Sequence, residues 1–512
     1  MCVVSLTGGG LVLYKRSVQK KNPFLPAHPA YFLHRVCQHP ILGYLCRVAD
    51  PETVLCAARS FDMRLRHTLI TKLDLPSDLA TEHPSADVQI SLPLRHGGLG
   101  IRPYFDSDNN GTGVSSAAYV ASIISAMPDL LPLIRRYQQQ FPIGDDRRRK
   151  LPRTPMFDTF RRAYREQLSA LALCREHDVG RKRKPREDVL QLPASPHDVV
   201  EHFGDRDNVV RKAQRTLSRR LDFVRSLHLQ QQQQLADNSS NNDLTRKLRA
   251  RLLSASQPAA KRWLSQPPRA PDSIMSNTEF GHTVRHLLAL PPDDNMPRTC
   301  ICGASLQEAP FDHFHSCKTA RKAAVNSRHN FVNEVIIATA RTVGMTVSRE
   351  PHHPKDPSAP EGSRMRKRAY RPDAALFTSR SRYHIDVMVT HPASNSYVTA
   401  ASECSLAAAN NGEKNKIKKN AEWAAHTHYT FLPFVVESFG AIGKSAMKVV
   451  NIIADFAESM RHSTKSACRN RLLTDISIAL QRGNALISLD GLTKARRGIN
   501  PYLDARADAG MD

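Results

Sequence analysis

The sequence lacks three features, each of which would assign it to a class of protein. No apolar run approaches the roughly 20 residues that a membrane-spanning helix needs, so a membrane protein is not predicted. The N-terminal residues MCVVSLTGGGLVLYKR have no basic segment ahead of their apolar stretch, and three glycines interrupt that stretch, so a signal peptide is not predicted either. The 10 cysteines are scattered along 512 residues rather than spaced as a disulfide framework. This favours a reducing, intracellular setting.

Acidic residues are few beside the basic ones. The chain has 48 aspartates and glutamates against 73 lysines and arginines, and its formal net charge is +25 at pH 7. Such an excess predicts a polyanionic partner, with nucleic acid favoured over a membrane surface. The length is sufficient for two to four domains. Between residues 147 and 269 the basic residues form clusters at 147–150, 181–184, 219–220 and 246–251, separated by a glutamine tract at 230–234 and a polar stretch at 237–243.

This basic region is interpreted as helical segments, for instance Val209 to Leu229, joined by disordered polar linkers. Its clusters would follow a phosphate backbone. The alternatives are a solvated linker or nuclear-import signals around residues 181–186. Backbone binding is favoured because so many separate clusters share one sign. The preceding 140 residues are interpreted as mostly helical, with a helix from Ser115 to Ile134 that breaks at Pro128.

Two aspartates belong to a pair of predicted strands. Asp373 opens a short apolar run, Ala374 to Phe377, and Asp386 lies within a second run, Tyr383 to Thr390, that is rich in β-branched residues. The polar break between the runs predicts neighbouring strands joined by a tight connection. Because alternate residues of a strand face opposite sides, the two aspartates could meet on one side of a sheet. There they could hold a hard divalent cation.

A lysine-rich segment, GEKNKIKKN, follows the strands. It places Glu413, Lys416 and Lys419 along one flank of a helix, three residues apart. Two acids and a lysine suit hydrolysis of a phosphodiester: Mg²⁺ held by the acids polarises the phosphate and lowers the pKa of its water, and the lysine steadies the attacking water or the developing charge. The alternative interpretation is a turn aspartate beside Pro372, an exposed strand aspartate and a solvated lysine face.

A second group of residues has the spacing of a zinc site. Cys300 and Cys302 are followed, after a ten-residue loop, by His313 and Cys317. These four side chains can close a tetrahedral, structural Zn²⁺ site. His313 is chosen as the third ligand because the H-x-x-x-C spacing lets one helical turn present both ligands, and His315 is the alternative. The competing interpretation is ordinary buried thiols and surface histidines.

The order of the motifs carries a resemblance to a known family. HPILGYLCRV, AARSFDMRLRHTL, LPLRHGGLGIR and SSAAYVASI are similar to the end of a non-LTR retrotransposon reverse transcriptase, in and after the thumb. The C-x-C…H-x-x-x-C knuckle, an RHN helix start, RPD…D-V, K-x-x-K-N and PFVVESFG follow. From about residue 30 to 460 the chain therefore resembles the C-terminal half of non-LTR retrotransposon proteins with a restriction-like endonuclease, a PD-(D/E)XK core that carries its lysine on a helix. Two positions depart from that pattern: an aromatic residue is expected at Asn420, and Met388 stands where the simple (D/E)-x-K form has its lysine.

The resemblance implies a multidomain fold of α and α/β classes. The expected parts are a helical thumb-like remnant (1–140), a basic, partly disordered nucleic-acid-binding linker (141–270), a helical lead-in with a CCHC zinc knuckle (271–325), a restriction-like endonuclease domain with a mixed sheet flanked by helices (326–465), and a basic helix with a mobile tail (466–512).

The resemblance also implies a nuclear, Mg²⁺-dependent DNA-nicking enzyme that serves target-primed reverse transcription. Its partners would be target DNA and element RNA, with no membrane, and self-association is left open. Since the Tyr-x-Asp-Asp signature of the polymerase is absent, the chain is expected not to polymerise DNA by itself and to be a C-terminal portion of the element's protein. The alternative is a non-catalytic, zinc-containing nucleic-acid-binding remnant. The expected Mg²⁺ ligands are Asp373 and Asp386, with Glu334 as a third acid. The expected catalytic lysine is Lys419, ahead of Lys416. The expected nucleic-acid contacts are Arg328, His329 and Arg371, and the alternative role for His329 is to cap or pack against the start of its helix.

Overall fold

In the computed structural model of the chain, the described residues are 25–38, 42–43, 45–49, 53–104, 113–140, 154–178, 192–196, 198–203, 213–235, 243–268, 273–307, 311–320 and 322–498. Both groups of candidate site residues fall within these ranges. Several predicted features lie outside them: the basic clusters at 147–150 and 181–184, most of the polar stretch 237–243, and the tail beyond residue 498.

The described part of the N-terminal region is helical. The expected break at Pro128 is wrong, because the last helix of this region runs through Pro128 and Pro132. Its apolar face is buried in a core shared with later helices, and this burial offsets the backbone hydrogen bonds that the prolines remove. The helices are α1 (Ala27–Leu33, extended by a π-helical turn at His34–Gln38), α2 (Leu45–Val48), α3 (Leu55–Leu73), α4 (Leu79–Glu82), α5 (Pro84–Ser91) and α6 (Gly113–Gln140).

Helix α6 also corrects the expectation about apolar runs. Its residues Ala117–Tyr137 are long and apolar enough to cross a membrane by length and composition alone. Half of that window is buried within the protein. The helices α7 (Pro155–Asp178), α8 (Val199–Phe203) and α9 (Ala213–Leu235) share one apolar core with it. A core helix of a globular protein meets the same criteria of length and composition.

The predicted basic linker is largely helical where it is described. Helix α9 includes the glutamine tract 230–234, so the disorder expected there is wrong for this tract. Helix α10 (Asp243–Ala255) follows, and its Arg251 is fully buried. The Arg251 guanidinium donates to the Gln89 side-chain oxygen at 2.8 Å and to the carbonyl of Leu287. This arginine therefore joins helices of the interior instead of facing a phosphate backbone.

The helices that lead into the cysteine and histidine group share a core with the N-terminal helices. They are α11 (Arg262–Ser265) and α12 (Asn277–Leu287), and a single-turn helix, α13 (His313–Ser316), lies inside the group. One apolar cluster contains side chains of α1, α3, α5, α11 and α12, and it reaches Phe439 beyond the sheet. This one core therefore contains residues from both sides of the domain limits that were expected at residues 140 and 270.

A four-stranded mixed sheet lies in the C-terminal half. Its strands are β1 (Thr346–Arg349), β2 (Ala374–Phe377), β3 (Arg382–Thr390) and β4 (Thr430–Glu437), hydrogen-bonded in that order. The first two pairings are antiparallel and the third is parallel. The predicted neighbouring strands with a tight connection, β2 and β3, are confirmed. Pro433 predicts that its strand either lies at an edge of the sheet or begins at the proline, and β4 is an edge strand that begins earlier, at Thr430.

Helices cover both faces of the sheet. On one face Ile385, Val387 and Phe434 pack in the largest apolar core, against α14 (Lys322–Thr342), α18 (Lys444–Ser459) and α19 (Lys465–Gly498). On the other face lies α17 (Ala407–Thr427), where a Cβ added at Gly412 would be 3.1 Å from Val435. The alternation predicted for β3 is therefore confirmed. Two short helices complete this region, α15 (Arg364–Lys367) and α16 (Val398–Glu403).

The phase of α14 differs from the prediction, which was an amphipathic helix from Phe331 to Val343 with Phe331, Val335, Ile336 and Thr339 on its inner face and Gly344 as its C-cap. Its buried residues are Val332, Ile336, Ile337 and Ala340, whereas Phe331, expected on the inner face, is 40% exposed. The helix begins at Lys322, well before the expected start, and its inner face is set by packing against α19. The predicted C-cap glycine is confirmed, since Gly344 has a φ of +85° directly after the helix.

Helix α19 is the interior element that the prediction missed. The sequence favours a basic helix from Ser463 to Arg482 outside the nuclease-like domain. The structure has a 34-residue helix whose side chains Cys468, Leu472 and Ile476 belong to the core beneath the sheet. The same helix continues to the cysteine and histidine group. It therefore joins the parts of the molecule that carry the two candidate sites.

Candidate functional site

The register of β2 and β3 brings the two predicted aspartates together. Ala374 pairs with Ile385, so the next pair outward is Asp373 with Asp386. Asp373 directly precedes β2, and its carboxylate accepts the backbone N–H of Val387 at 2.6 Å. This bond fixes the Asp373 side chain at the end of β2, in line with β3. Asp386 projects from β3 toward helix α17.

Helix α14 contributes a histidine to this pair. His329 Nε2 lies 3.1 Å from Asp373 Oδ2, and its Nδ1 lies 3.2 Å from Asn330 Oδ1. The hydrogen bond to Asp373 raises the pKa of His329 above its ordinary value, although partial burial opposes the rise. His329 therefore acts as a donor to Asp373 over a wider pH range than an isolated histidine.

Helix α17 contributes two donors from successive turns. Lys416 Nζ lies 2.7 Å from Asp386 Oδ1, and Asn420 Nδ2 lies 3.2 Å from Asp386 Oδ2. Residues four apart lie on one helix face, which is why both reach the same carboxylate. Asn420 stands where the resemblance led us to expect an aromatic residue, and its contact with the acid pair was not predicted. Glu413, one turn earlier, instead accepts the backbone N–H of Ser445 at the start of α18.

The pKa values of the two aspartates move in opposite directions. Burial raises the pKa of Asp386 above its ordinary value, Lys416 opposes this rise and the neighbouring Asp373 adds to it. Burial acts in the same sense on Asp373, but the hydrogen bond and charge of His329 and the Val387 N–H lower its pKa below the ordinary value. Two carboxylates in hydrogen-bonding reach of one another are costly unless a proton or a cation lies between them.

The donor set fits a hard divalent cation. Asp373 and Asp386 offer carboxylate oxygens side by side, and their side chains keep 20% and 16% of their surface exposed. Oxygen ligands of this kind suit Mg²⁺. Lys416 and His329 are then the nearest cationic groups for a phosphate that binds at the same position. The group as a whole is a pair of acids between two cationic side chains, one on each side of the sheet.

The remaining predicted residues lie elsewhere in the structure. Lys419 is exposed, and its backbone carbonyl accepts the Arg364 guanidinium at 3.3 Å. Glu334 is paired with Arg349, and Arg371 is exposed and paired with Glu350.

Arg328, predicted to contact nucleic acid, is only 1% exposed. Its guanidinium donates to Asn484 Oδ1 of α19 at 2.9 Å, and Gly483 of α19 lies against its backbone. In this conformation the arginine contributes to helix packing and is closed to a phosphate. The nucleic-acid contact predicted for Arg328 is therefore corrected to an interior role.

The cysteine and histidine group forms a compact cluster that could hold a zinc ion. The ligand atoms of Cys300, Cys302, His313 and Cys317 all lie within 4.8 Å of one another. The two sulfurs of Cys300 and Cys317 are 3.9 Å apart, and Cys302 Sγ is 3.5 Å from His313 Nε2. Tetrahedral Zn–S and Zn–N bonds place their ligand atoms roughly 3.5–3.8 Å apart, so these separations suit Zn²⁺.

The structure distinguishes the two candidate histidines. His315 is buried, its Nε2 lies 3.2 Å from Ser488 Oγ of α19, and its ring stacks on His286 at 3.9 Å between centroids. His313 is the histidine in the cluster. The preference for His313 over His315 agrees with this geometry.

Comparisons with known proteins give no relative from which a function could be transferred. No protein-family model matches the chain, and no curated protein matches it either.

Proposed function

We propose that the chain is a Mg²⁺-dependent DNA endonuclease, the restriction-like nuclease portion of a non-LTR retrotransposon protein. The observation that carries this proposal is the meeting of Asp373 and Asp386 at adjacent strands with Lys416 in contact with the second acid. Two carboxylates and a cation, partly exposed and fixed by a sheet and a helix, form a set suited to phosphodiester hydrolysis. The large excess of basic residues supports a polyanionic substrate.

Each side chain has a defined task in the proposed reaction. Asp373 and Asp386 would hold the cation, with Asp373 oriented by the Val387 N–H. A cation held by these two carboxylates would lower the pKa of a water molecule and polarise the phosphate. Lys416 orients that water or stabilises the negative charge that develops on the phosphate. His329, whose pKa is raised by its contact with Asp373, would when protonated place a second positive charge beside the same phosphate.

The proposal assigns the other groups as well. A nuclear site of action on target DNA, with element RNA as a second partner, follows from the order of motifs and the net charge. A zinc ion in the cluster of cysteines and His313 would hold its short segment folded against α19, since a metal supplies the folding free energy that so small a segment lacks. The nick made by the acid pair would expose the 3′ hydroxyl that primes reverse transcription.

The proposal is tested by nicking of supercoiled plasmid in Mg²⁺. The wild-type protein is expected to convert plasmid to the open circle, and Asp373→Asn and Asp386→Asn each to reduce that rate by a factor of 100 or more, since removing one preorganised electrostatic group costs about that much. DNA affinity should stay within a few-fold. Arg380→Gln is a matched surface control that should nick normally. Equal nicking by the Asp373→Asn/Asp386→Asn protein contradicts the proposal.

A second function is favoured by one specific observation. Each carboxylate of the pair already has a cationic partner from the chain itself, His329 for Asp373 and Lys416 for Asp386. Such a network is also what a purely structural ion cluster looks like. On that interpretation the chain is a non-catalytic, zinc-containing nucleic-acid-binding protein. Salt-dependent DNA binding without cleavage in Mg²⁺ or Mn²⁺ would support it.

A further inference from the structure

The loop that leads to Asp373 is fixed onto helix α17. Ser363 Oγ donates to Glu422 Oε2 at 2.7 Å, and the backbone N–H of Arg364 donates to the same oxygen at 3.0 Å. Met365 is buried with Tyr370 and Trp423 in a small apolar cluster. The segment 364–368 is therefore held in place by contacts that do not involve the side chains of Arg366, Lys367 and Arg368.

The charged side chains of this segment point outward. Arg364, Arg366, Lys367 and Arg368 are all exposed. In the part of the chain that the structure describes, no acidic partner accompanies Arg366, Lys367 or Arg368. Lys419 of α17 is exposed beside them, with its carbonyl bound by Arg364. We name Arg364, Arg366, Lys367, Arg368 and Lys419 the basic platform.

The basic platform is continuous with the acid pair along one row of α17. Lys416, Lys419 and Glu422 follow one another at intervals of three residues, and such residues are neighbours on a helix surface. The Lys416 side chain donates to Asp386, the Lys419 carbonyl accepts from the Arg364 guanidinium, and the Glu422 carboxylate accepts from the Arg364 backbone N–H. At 1.5 Å per residue the row covers about 9 Å of helix. The acid pair and the platform are therefore close enough to contact one nucleic-acid strand together.

We infer that the basic platform binds the phosphate backbone of the DNA strand immediately beside the phosphodiester held at the acid pair. This inference rests on the proposed function and gives Lys419 a part in it that differs from catalysis. A row of phosphates spaced along a strand matches this row of exposed cations, since each contact releases a condensed counterion. Three of the cations, Arg366, Lys367 and Arg368, have no acidic partner among the described residues. The fixed backbone of the segment keeps those cations in position before DNA binds.

The test is the salt dependence of DNA binding, measured in EDTA so that no cleavage takes place. In Arg366→Gln/Lys367→Gln/Arg368→Gln, the slope of log Kd against log salt is expected to fall by about two to three, because each lost phosphate contact removes roughly 0.9. A charge-conserving protein, Arg366→Lys/Arg368→Lys, should keep the wild-type slope, which separates loss of charge from loss of folding.

The matched control removes three exposed cations outside the platform: Arg380 and Arg382 at the turn between β2 and β3, and Arg341 in the last turn of α14. Arg341→Gln/Arg380→Gln/Arg382→Gln should change the slope by less than one. Equal slopes for the two triple variants would overturn the inference and would leave an import receptor or another acidic protein as the partner of the segment.

The outcome is separable from that of the proposed function. If the wild-type protein does not nick DNA but the slope of log Kd against log salt depends on the platform, DNA binding by the platform is supported and the nuclease function is contradicted. If the platform variant keeps the wild-type slope and only the aspartate variants lose nicking, the nuclease function is supported and DNA binding by the platform is contradicted.

Discussion

At the scale of single residues, Asp386 shows how the candidate site is held together. The carboxylate is mostly buried, and two donors on successive turns of α17, Lys416 and Asn420, each take one of its oxygens. Hydrogen bonds to a charged group contribute more than those between neutral groups, and a buried carboxylate without them would be destabilising. The two contacts therefore explain why a buried acid persists next to a second acid.

The contacts of the two lysines predict different effects on cleavage. Lys416→Gln should reduce the nicking rate by a factor of 100 or more, because the Lys416 ammonium donates a hydrogen bond to Asp386 at the acid pair. Lys419→Gln should weaken DNA binding and leave the nicking rate at saturating DNA within a few-fold. Single-turnover nicking over a range of protein concentrations separates the two effects. If Lys419→Gln is the variant that stops cleavage at saturation, the assignment of Lys416 is wrong.

The meeting of the two aspartates could be predicted from the sequence, whereas the contacts of the residues around them could not. The period of two in β3 and the short break before it are local signals, so the meeting of Asp373 with Asp386 could be predicted. The burial of Arg328 could not, because its partner Asn484 is 156 residues away in the chain. The contact of Asn420 with Asp386 depends on the rotation of α17 over the sheet, which tertiary packing sets.

At the scale of elements, α19 is the helix on which the C-terminal half is assembled. Two of its glycines permit close approach: a Cβ at Gly483 would lie 2.7 Å from the Arg328 Cα, and a Cβ at Gly491 would lie 2.5 Å from ring carbons of Phe314. Phe314 is buried and directly follows His313 of the zinc-type cluster. The buried residues of α19 include leucines and isoleucines as well as these two glycines, and only the tertiary contacts show which elements they pack against.

A substitution at Gly491 tests that packing. Gly491→Ala should lower the free energy of unfolding by about 1–2 kcal/mol, since overpacking costs more than the gain in helix propensity. Gly498→Ala is the control on the same helix, because the added Cβ there meets only the Cγ2 methyl of Ile301, whose side chain is exposed and free to shift. Urea unfolding of both variants makes the measurement. A Gly491→Ala protein as stable as wild type would contradict the close contact.

The zinc-type cluster gives a prediction about ligands. Cys317→Ser and His313→Ala should each lose the zinc that the wild-type protein binds at one ion per chain, because four ligands are needed to close a structural site. His315→Ala should retain zinc, as should Cys404→Ser, which removes an exposed cysteine far from the cluster in sequence. Metal content is measured after dialysis. Loss of zinc in His315→Ala together with retention in His313→Ala would reverse the choice of ligand.

At the scale of the whole molecule, several buried histidines link stability to pH. Burial lowers the pKa values of His28, His34 and His384 to about 4. His28 is an example, with Nε2 2.9 Å from the Trp263 carbonyl and its ring 4.8 Å from that of Phe280. These histidines belong to separate parts of the chain that fold against one another, so their neutral form is a property of the assembled protein.

The sign of the pH effect follows from those lowered values. The unfolded chain binds protons near the ordinary histidine pKa of 6.5, whereas folded His28 does so near 4, so stability is complete above 6.5 and falls as the pH decreases toward 4. For His28 the full loss is on the order of 3 kcal/mol. Urea unfolding at pH 7.5 and 5.0 should show a smaller decrease for His28→Gln than for wild type. An equal decrease would show that His28 is not buried in its neutral form.

The packing of the helices against one another in the whole molecule was the part of the structure that the sequence predicted least well. The helical character of the N-terminal region and the neighbouring strands β2 and β3 follow from local patterns that the sequence displays, whereas the mixed sheet with its flanking helices was implied by the resemblance alone. The shared core of α1, α3, α11 and α12 joins residues more than 200 positions apart, and no local pattern records such pairings. The limits expected at residues 140 and 270 rested on changes in composition, and composition does not determine which helices share a core.

The most direct test of the central claim is a calorimetric titration of the zinc-loaded protein with Mn²⁺, a hard divalent ion that serves as the probe. The wild-type protein is expected to have one class of Mn²⁺-binding site. This site should be lost in both Asp373→Asn and Asp386→Asn and kept in Arg380→Gln. Mn²⁺ binding of equal affinity in wild type and both aspartate variants would contradict it.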